Sequence, residues 1–214
     1  MNSQERAALQ RSYDVVADQY ATRIYDELRH KPLDRELLDR LVARAGSLGP
    51  ICDLGCGPGQ IARYLREQGA EVCGVDLSPA MVATARRLSP EIAFAQGDML
   101  ALSAPDAAWG GIAAFYSLVN TPRLDLPQAI SEMHRTLRPG GWLLTAFHIG
   151  DETVHLDEWW GQAVALDFFS FRTHEIANLL TTAGLELVES IEREPYPEVE
   201  HPSRRAYLFA RRPE

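Results

Sequence analysis

The chain has 214 residues, of which 46% are hydrophobic and 24% charged, a composition typical of one soluble globular domain. Its net charge of −9 argues against a nucleic-acid partner, because such a surface repels phosphates. The sequence contains no run of about 18 apolar residues and no apolar leader, so we expect neither a membrane span nor a secretion signal. Three cysteines, an odd number, favour the reducing cytoplasm over a disulfide framework.

Residues 4 to 45 have apolar side chains at helical spacing, and Pro32 divides them into two predicted helices. From Pro50 onward, strand and helix patterns alternate. The predicted strands are 50–54, 71–76, 92–96, 111–118 and 142–148, and the predicted helices between them are 60–68, 79–88 and 127–137. Ser78 is the predicted cap of the helix at 79–88. This alternation predicts an α/β fold with a doubly wound, mostly parallel sheet and helices on both faces.

The pattern changes after His148. Residues 150–160 are polar with aromatics, and residues 164–171 are a short apolar stretch. A helix capped by Thr173 is predicted over 173–183, followed by strands at 185–193 and 204–210 that a proline-rich loop joins.

A glycine-rich segment, DLGCGPGQ, runs from Asp53 to Gln60 between a predicted strand and a predicted helix. Glycines permit left-handed backbone and remove Cβ atoms, so a ligand can lie against the backbone at a helix N-terminus. Asp76 ends the next strand, 21 residues after Gly55. That spacing is typical of a carboxylate that binds ribose hydroxyls in a nucleotide-binding βαβ unit.

The glycine frame is G-x-G-x-G rather than the dinucleotide fingerprint G-x-G-x-x-G/A, because Gln60 stands at the last position. Asp53, two residues ahead of the first glycine, is expected at the end of the first strand and directed into the crevice. A carboxylate there suits a cationic ligand group and repels a pyrophosphate. Both features argue against a nucleotide-dependent oxidoreductase, which stays as a third alternative.

The segment 53–60 resembles the first motif of class I S-adenosylmethionine-dependent methyltransferases. The segments 75–81 (VDLSPAM), 97–99 (GDM) and 137–141 (LRPGG) resemble the second motif, the third motif and the turn before the fifth strand. Four motifs in the family's order are a specific signal, whereas one glycine turn is weak. The pattern from 148 to 205 also resembles a bacterial subgroup of small-molecule methyltransferases.

The resemblance implies a seven-stranded sheet that ends in an antiparallel hairpin, in a single domain of residues 1–214. Within it, residues 1–45 would be a helical lid, residues 50–148 a cofactor-binding core, and residues 149–214 a substrate-side segment with the last strands. The implied cofactor is S-adenosylmethionine and the implied product S-adenosylhomocysteine.

The resemblance also assigns roles to single residues. Those implied to touch the methionine and ribose portion are Asp53, Gly55, Gly57 and Asp76, and those implied to touch the adenine are Leu77, Met81, Asp98 and Met99. Tyr13 and Tyr20 match the Y-D-x-x-A-x-x-Y segment of an N-terminal lid, although packing of their own helix also explains them. Arg23 either pairs with the methionine carboxylate or makes a surface ion pair.

Tyr116 and Asn120 end the fourth strand, beside the expected methyl group. The stretch lacks the N/D-P-P-Y/F motif of adenine- and glutamine-directed relatives and the paired glutamates of arginine-directed ones, so we expect a small-molecule acceptor. His148 is the candidate general base, because an unperturbed imidazole has a pKa of about 6.5. Trp159 and Trp160 are interpreted either as an aromatic wall of the acceptor pocket or as helix packing.

No metal is expected. His148, Asp151 and His155 are an alternative metal trio, but their spacing fits no common site. The sequence thus predicts a cytoplasmic methyltransferase, monomeric or homodimeric, that methylates O or N of a small molecule. The main rival is a non-catalytic S-adenosylmethionine-binding protein, because a fold alone does not prove turnover.

Overall fold

The computed structural model describes residues 1–214, the whole chain. The helices are α1 Ser3–Ile24, α2 Pro32–Ala45, α3 Gln60–Glu67, α4 Pro79–Leu88, α5 Leu126–Thr136 and α6 Thr173–Thr182. The strands are β1 Ile51–Leu54, β2 Val72–Asp76, β3 Ala93–Gln96, β4 Trp109–Phe115, β5 Leu137–His148, β6 Thr153–Trp159, β7 Gln162–Phe169, β8 Glu186–Arg193 and β9 Arg205–Arg211. Short 3-10 turns lie at Glu27–His30 and Leu118–Asn120.

Seven strands form one sheet in the order β3-β2-β1-β4-β5-β9-β8. β1 to β5 pair in parallel, and β9 runs antiparallel to both β5 and β8. The predicted fold class, including the antiparallel C-terminal hairpin, is confirmed. The chain winds outward from β1 in one direction and from β4 in the other, so their carboxyl ends flank the crevice where ligands bind in such sheets.

Apolar side chains cover both faces of the sheet. Leu38 of α2 and Ile61 of α3 lie in the core on one face, while Ile130 of α5 and Ile176 of α6 lie in the core on the other. Every residue of β4 is buried, as expected of a central parallel strand. The two packed layers hold the strand ends rigidly and therefore position the loops that follow them.

Of the two helix caps predicted from the sequence, one is present in the structure. Ser78 caps α4 as predicted, because its Oγ accepts a hydrogen bond from the Met81 N–H at 3.1 Å. Thr173 was predicted to cap α6, and this prediction is wrong. Arg172 holds the cap position, while the Thr173 hydroxyl donates to Glu192 Oε1 at 2.5 Å.

Strands β6 and β7 form a separate two-stranded hairpin that the sequence did not predict. Trp160 and Gly161 turn the chain, both in the left-handed region with φ of 52° and 80°. In β6 only Val154 and Leu156 alternate with polar residues, and most residues of the strand are exposed, so its apolar pattern is a weak strand signal. The hairpin packs on α1 instead of joining the main sheet.

No helix in the structure combines the length and the apolar character that crossing a lipid bilayer requires.

Candidate functional site

A cavity lies at the carboxyl ends of β1, β2, β3 and β4, with α1 across its opening. Apolar residues make up more of its wall than polar ones, as is usual for a small-molecule site. It is lined by Met1, Arg6, Leu9, Tyr13, Tyr20, Leu54, Gly55, Gly57, Gln60, Val75, Asp76, Leu77, Met81, Gly97, Asp98, Met99, Leu100, Phe115, Tyr116, Ser117, Asn120 and Thr121.

The glycine turn forms the floor of this cavity, with Gly55 at φ 74° and Gly57 at φ 52°. A Cβ at Gly55 would lie 2.3 Å from the Ser117 Cβ, so no larger residue fits between β1 and the end of β4. A Cβ at Gly57 would instead enter the cavity, where its closest neighbours are side-chain atoms of Gln60 and Tyr20 at 3.9 Å. The backbone at Gly57 is therefore open to a ligand.

Asp76 ends β2 and lines the cavity, as the sequence predicted. Its Oδ2 accepts from the Gly57 N–H and its Oδ1 from the Ser78 N–H, both at 2.8 Å. Burial raises its pKa and these two bonds lower it, with a net upward shift. Because a carboxylate offers about four lone-pair sites, the anchored group can still accept from two ligand hydroxyls.

Asp53 does not line the cavity, contrary to the prediction that it points into the crevice. It is 1% exposed, and its Oδ2 accepts from the Ala62 N–H in the first turn of α3 at 2.9 Å. Burial raises the pKa of Asp53 to about 8, a shift that this hydrogen bond opposes and the charge of Asp76 adds to. Asp53 therefore links the end of β1 to the first turn of α3, on the side of the glycine turn that faces away from the cavity.

Asp98, Met99 and Leu77 line the far part of the cavity together with Met81. Asp98 Oδ1 accepts from the Leu100 N–H at 2.9 Å, while Oδ2 lies 2.9 Å from Arg6 Nε without a hydrogen-bond geometry. Met81 is 1% exposed and also packs against Val16 and Ala17 of α1. Both interpretations of Met81, core residue and cavity wall, hold at once.

Helix α1 lies across the opening and is held there by polar contacts. The Tyr13 hydroxyl donates to Asn120 Oδ1 at 2.6 Å. Asp14 accepts from the Ser78 hydroxyl at 2.5 Å and from the Ala80 N–H at 3.2 Å, which links α1 to the start of α4. Tyr13 and Tyr20 both line the cavity, and the role of their helix as a lid stays a prediction.

Tyr116 has a left-handed backbone, with φ of 53°, at the end of β4. Its side chain lines the cavity, and its hydroxyl lies 3.2 Å from that of Tyr207. The Tyr207 hydroxyl donates to Asp34 Oδ1 at 2.6 Å and accepts from Arg193 Nε at 3.0 Å. Since Tyr207 has one proton, Tyr116 must be the donor of the bond between the two tyrosines.

His148 does not line the cavity, so it is not placed as the predicted general base. Its ring lies 5.1 Å from that of Tyr116, and its Nδ1 contacts Ser203 Oγ at 2.7 Å. Burial and the nearby cation of Arg205 lower its pKa to about 4. A base at neutral pH works best with a pKa near 7, and this imidazole is far below that value.

Trp159 and Trp160 are also absent from the cavity wall. They stack on each other with centroids 4.4 Å apart, and both make edge contacts with Tyr20. Arg23 lies over the Trp160 ring at 5.2 Å rather than in the cavity. Neither predicted alternative, acceptor wall or helix packing on the sheet, describes the tryptophans, because they sit on a hairpin that packs against α1.

The alternative metal trio does not assemble. Asp151 pairs with Arg172, whereas His155 contacts Asp167 Oδ1 at 2.7 Å and Asp157 Oδ1 at 3.2 Å. No group of three histidine, cysteine or acidic side chains is arranged to hold a metal ion.

Several cavity residues were missed by the sequence reasoning, among them Arg6, Gln60 and Ser117. Gln60 directly follows the third glycine, and this position in the sequence was sufficient to predict that it lies beside the ligand-binding turn. Two buried side-chain atoms along the cavity, Gln60 Oε1 and Ser117 Oγ, lack a partner, whereas Arg6 Nε and Asp98 Oδ2 form an ion pair with each other at 2.9 Å. Buried polar atoms are normally paired, so the two free oxygens suit a ligand with polar groups.

Comparison with known proteins agrees with this geometry. Residues 51–141 match a family described as a methyltransferase domain. The chain is 36% identical over 138 residues to malonyl-[acyl-carrier protein] O-methyltransferase of Enterobacter lignolyticus, covering 62% of this chain and 53% of the relative. It is 39% identical over 100 residues to demethylmenaquinone methyltransferase of Thermus thermophilus, covering 44% of each. The chain spans about half the length of these curated relatives.

Among solved structures, the fold is similar to that of 1,6-didemethyltoxoflavin-N1-methyltransferase of Burkholderia thailandensis, a complex with 1,6-didemethyltoxoflavin and S-adenosylhomocysteine. The TM-score is 0.74 at 23% identity, and the match covers 100% of this chain and 92% of the other. This likeness concerns the fold, a mostly parallel seven-stranded sheet with an antiparallel C-terminal pair. Within the chain, residues 51–141 are the part that is similar to a methyltransferase domain.

Proposed function

We propose that the cavity binds S-adenosylmethionine and that the chain transfers its methyl group to O or N of a small molecule. The observation that carries the proposal is the pair of cavity carboxylates, Asp76 beside the glycine turn and Asp98 at the far end. The Leu100 N–H and the Arg6 guanidinium hold the Asp98 carboxylate at the cavity wall, where an acceptor suits the exocyclic amine of an adenine.

In this proposal Asp76 accepts hydrogen bonds from both ribose hydroxyls, held in place by the N–H groups of Gly57 and Ser78. Leu77 and Met81 cover the adenine ring, and the Met99 backbone amide reaches a ring nitrogen. Gly55 and Gly57 allow close approach along the backbone, and Tyr13 and Tyr20 close the site from α1. Asp53 acts indirectly, because it positions the turn.

The chemistry that S-adenosylmethionine supplies when bound is an electrophilic methyl group on a sulfonium. Since that group is already activated, the main task of the chain is to hold the acceptor in line and exclude water. Phe115, Tyr116 and Asn120, at the end of β4, are the residues proposed to face the acceptor. His148 is not proposed as the base, because it lies behind Tyr116 and has a low pKa.

The printed names of similar proteins support both target atoms. One relative is named an O-methyltransferase of malonyl-[acyl-carrier protein], and the structural neighbour is named an N1-methyltransferase. A small-molecule acceptor rather than nucleic acid is proposed because the net charge is −9. A cytoplasmic location is proposed because all three cysteines are free thiols, and a monomer or a homodimer because no feature requires a larger assembly.

Two measurements test the proposal. Calorimetric titration should detect binding of S-adenosylhomocysteine but not of NAD, because the glycine frame has Gln60 where the dinucleotide fingerprint has glycine or alanine. Incubation with methyl-labelled S-adenosylmethionine and a panel of small hydroxyl, carboxyl and amine compounds should then label at least one of them. Binding of NAD alone would favour the oxidoreductase alternative. Binding of the cofactor without labelling across a broad panel would favour the non-catalytic alternative.

A further inference from the structure

Gln60 is the first residue of α3, directly after the glycine turn, and it is 7% exposed. Its carboxamide oxygen Oε1 is buried and has no hydrogen-bond partner. The side chain lines the cavity, and a Cβ at Gly57 would lie 3.9 Å from Oε1. This oxygen therefore faces the space above the Gly57 backbone.

The orientation of the Gln60 amide is set by charged neighbours. Its Nε2 donates to Glu27 Oε1 at 3.3 Å, so the amide cannot turn over without placing its oxygen against a carboxylate. Glu27 Oε2 in turn accepts from Lys31 Nζ at 2.5 Å, and Lys31 is 7% exposed. The ion pair with Lys31 fixes the Glu27 carboxylate, which in turn accepts a hydrogen bond from the Gln60 amide nitrogen. The Gln60 amide oxygen is therefore directed toward the cavity.

The surroundings of this oxygen are rich in acceptors. Asp76 Oδ2 lies on the other side of Gly57, at 2.8 Å from its N–H, and Glu27 lies behind Gln60. Lys31 neutralises Glu27, so a ligand carboxylate at this point would face the Gln60 carbonyl oxygen and the Asp76 carboxyl group, which is unfavourable. A ligand ammonium would find an oriented acceptor, which is the arrangement of a charge-assisted hydrogen bond.

We propose that Gln60 is a specificity-determining residue, whose Oε1 accepts a hydrogen bond from the ammonium of the cofactor's amino-acid portion. Glu27 and Lys31 are positioning residues that orient the Gln60 amide. The inference rests on the proposed function, because it takes the cavity ligand to be a nucleoside joined to an amino acid. It assigns the end of the cavity next to α3 to the amino group of that amino acid.

The test compares two ligands that share the nucleoside and the sulfur. S-adenosylhomocysteine carries the amino-acid portion, whereas 5′-methylthioadenosine does not. In calorimetric titrations Gln60→Met should bind S-adenosylhomocysteine about 10- to 100-fold more weakly than the unmodified protein, as expected for one hydrogen bond to a charged group. Its affinity for 5′-methylthioadenosine should change less than about twofold. Gln68→Met, at the exposed end of the same helix, is the matched control.

A positioning role predicts a related result for Glu27→Gln. That variant should lose affinity for S-adenosylhomocysteine to a smaller extent, again without a change for 5′-methylthioadenosine. Thermal unfolding without ligand checks folding, and methionine at position 60 should be tolerated because it removes an unpaired buried carbonyl.

The outcomes separate the two proposals. Loss of affinity in Gln60→Met that is equal for both ligands, or no loss for either, overturns the assignment of Gln60. Failure of the unmodified protein to bind either ligand overturns the proposed function, and the inference falls with it.

Discussion

The Asp76 carboxylate is bound by two backbone N–H groups and also lines the cavity. The N–H groups of Gly57 and Ser78, each 2.8 Å from a carboxylate oxygen, hold its orientation without using all of its lone pairs. Such pre-orientation lowers the entropy that a ligand must overcome when it pairs with the carboxylate.

We expect Asp76→Ala to weaken S-adenosylhomocysteine binding by about 3 kcal/mol or more, because two charge-assisted hydrogen bonds are lost. Isothermal titration calorimetry measures the change. Asp157→Ala, whose carboxylate is 94% exposed on the β6–β7 hairpin, should bind normally. Unchanged affinity in Asp76→Ala would exclude Asp76 from the ribose site.

Asp53 makes the stability of the protein depend on pH, because its pKa changes on folding. Burial raises its folded pKa to about 8, against an ordinary value of 3.8. Between these two values the unfolded chain releases a proton that the folded chain retains. A rise in pH across that window therefore favours the unfolded state, so the contribution of Asp53 to stability is largest at and below about pH 4 and declines toward pH 8.

We expect Asp53→Asn to remove this decline. The asparagine oxygen can still accept from the Ala62 N–H, but the side chain cannot ionise. At pH 8 the free energy of unfolding should exceed that of the unmodified protein by about 1–3 kcal/mol, and near pH 4 the two should be similar. Urea unfolding at both pH values tests this, with Asp157→Asn as control. Equal pH dependence in the unmodified protein and in Asp53→Asn would contradict the assigned protonation.

At the scale of secondary-structure elements, α1 connects three separate parts of the molecule. Asp14 ties it to the start of α4, Tyr13 ties it to Asn120 beyond β4, and the Ser12 hydroxyl accepts from the Ala165 N–H of β7 at 2.9 Å. The tryptophans of the β6–β7 hairpin pack against Tyr20 on the outer side. The hairpin therefore braces α1 over the cavity.

If α1 acts as a lid, deletion of residues 1–24 should weaken S-adenosylhomocysteine binding by about tenfold or more. The reason is that Tyr13 and Tyr20 cover the ligand and slow its release. Stopped-flow measurement should show the loss mainly as faster dissociation. Circular dichroism should show a folded sheet, since the two cores on the sheet faces do not depend on α1. Binding as tight as in the full chain would refute the lid.

At the scale of the whole molecule, a buried polar cluster joins the N-terminal and C-terminal parts of the chain behind Tyr116. Glu200, with a side chain 1% exposed, pairs with Arg193 at 2.6 Å and 2.9 Å and with Arg205 at 3.2 Å. Arg193 also pairs with Asp34 at 3.0 Å. Burial alone would raise the pKa of Glu200, but these cations outweigh it and lower the pKa to about 2.

Glu200 therefore contributes stability above its ordinary pKa of 4.5, and this contribution is lost as the pH falls toward 2. We expect Glu200→Gln to lower the free energy of unfolding by about 1–3 kcal/mol at pH 7 and by clearly less at pH 3. Urea unfolding at the two pH values measures both differences. The exposed Glu152→Gln is the control, and a deficit that is the same at pH 3 and pH 7 would argue against the shifted pKa.

Local sequence patterns were sufficient to predict the structure wherever interactions within one short segment determine its conformation. The glycine turn, the Ser78 cap and the alternation of strands and helices depend on neighbouring residues, so the parallel sheet and the cofactor motifs could be predicted. The β6–β7 hairpin could not, because the apolar alternation of β6 is short, β7 contains a continuous apolar run, and the tryptophans of the hairpin pack on α1. Nor could the orientation of Asp53, since a strand-end carboxylate is equally compatible with a ligand and with the next helix.

By itself the sequence determined the fold class and the residues of the glycine turn, since these depend on short motifs at fixed spacing. Only the tertiary structure decided which of the remaining polar side chains face the cavity. In the structure, His148 and Asp53 face away from the cavity and Gln60 lines its wall. Trp159 and Trp160 pack against α1. The physical reason is that long-range packing between α1, β7 and the C-terminal strands sets side-chain direction, and no local pattern records that packing.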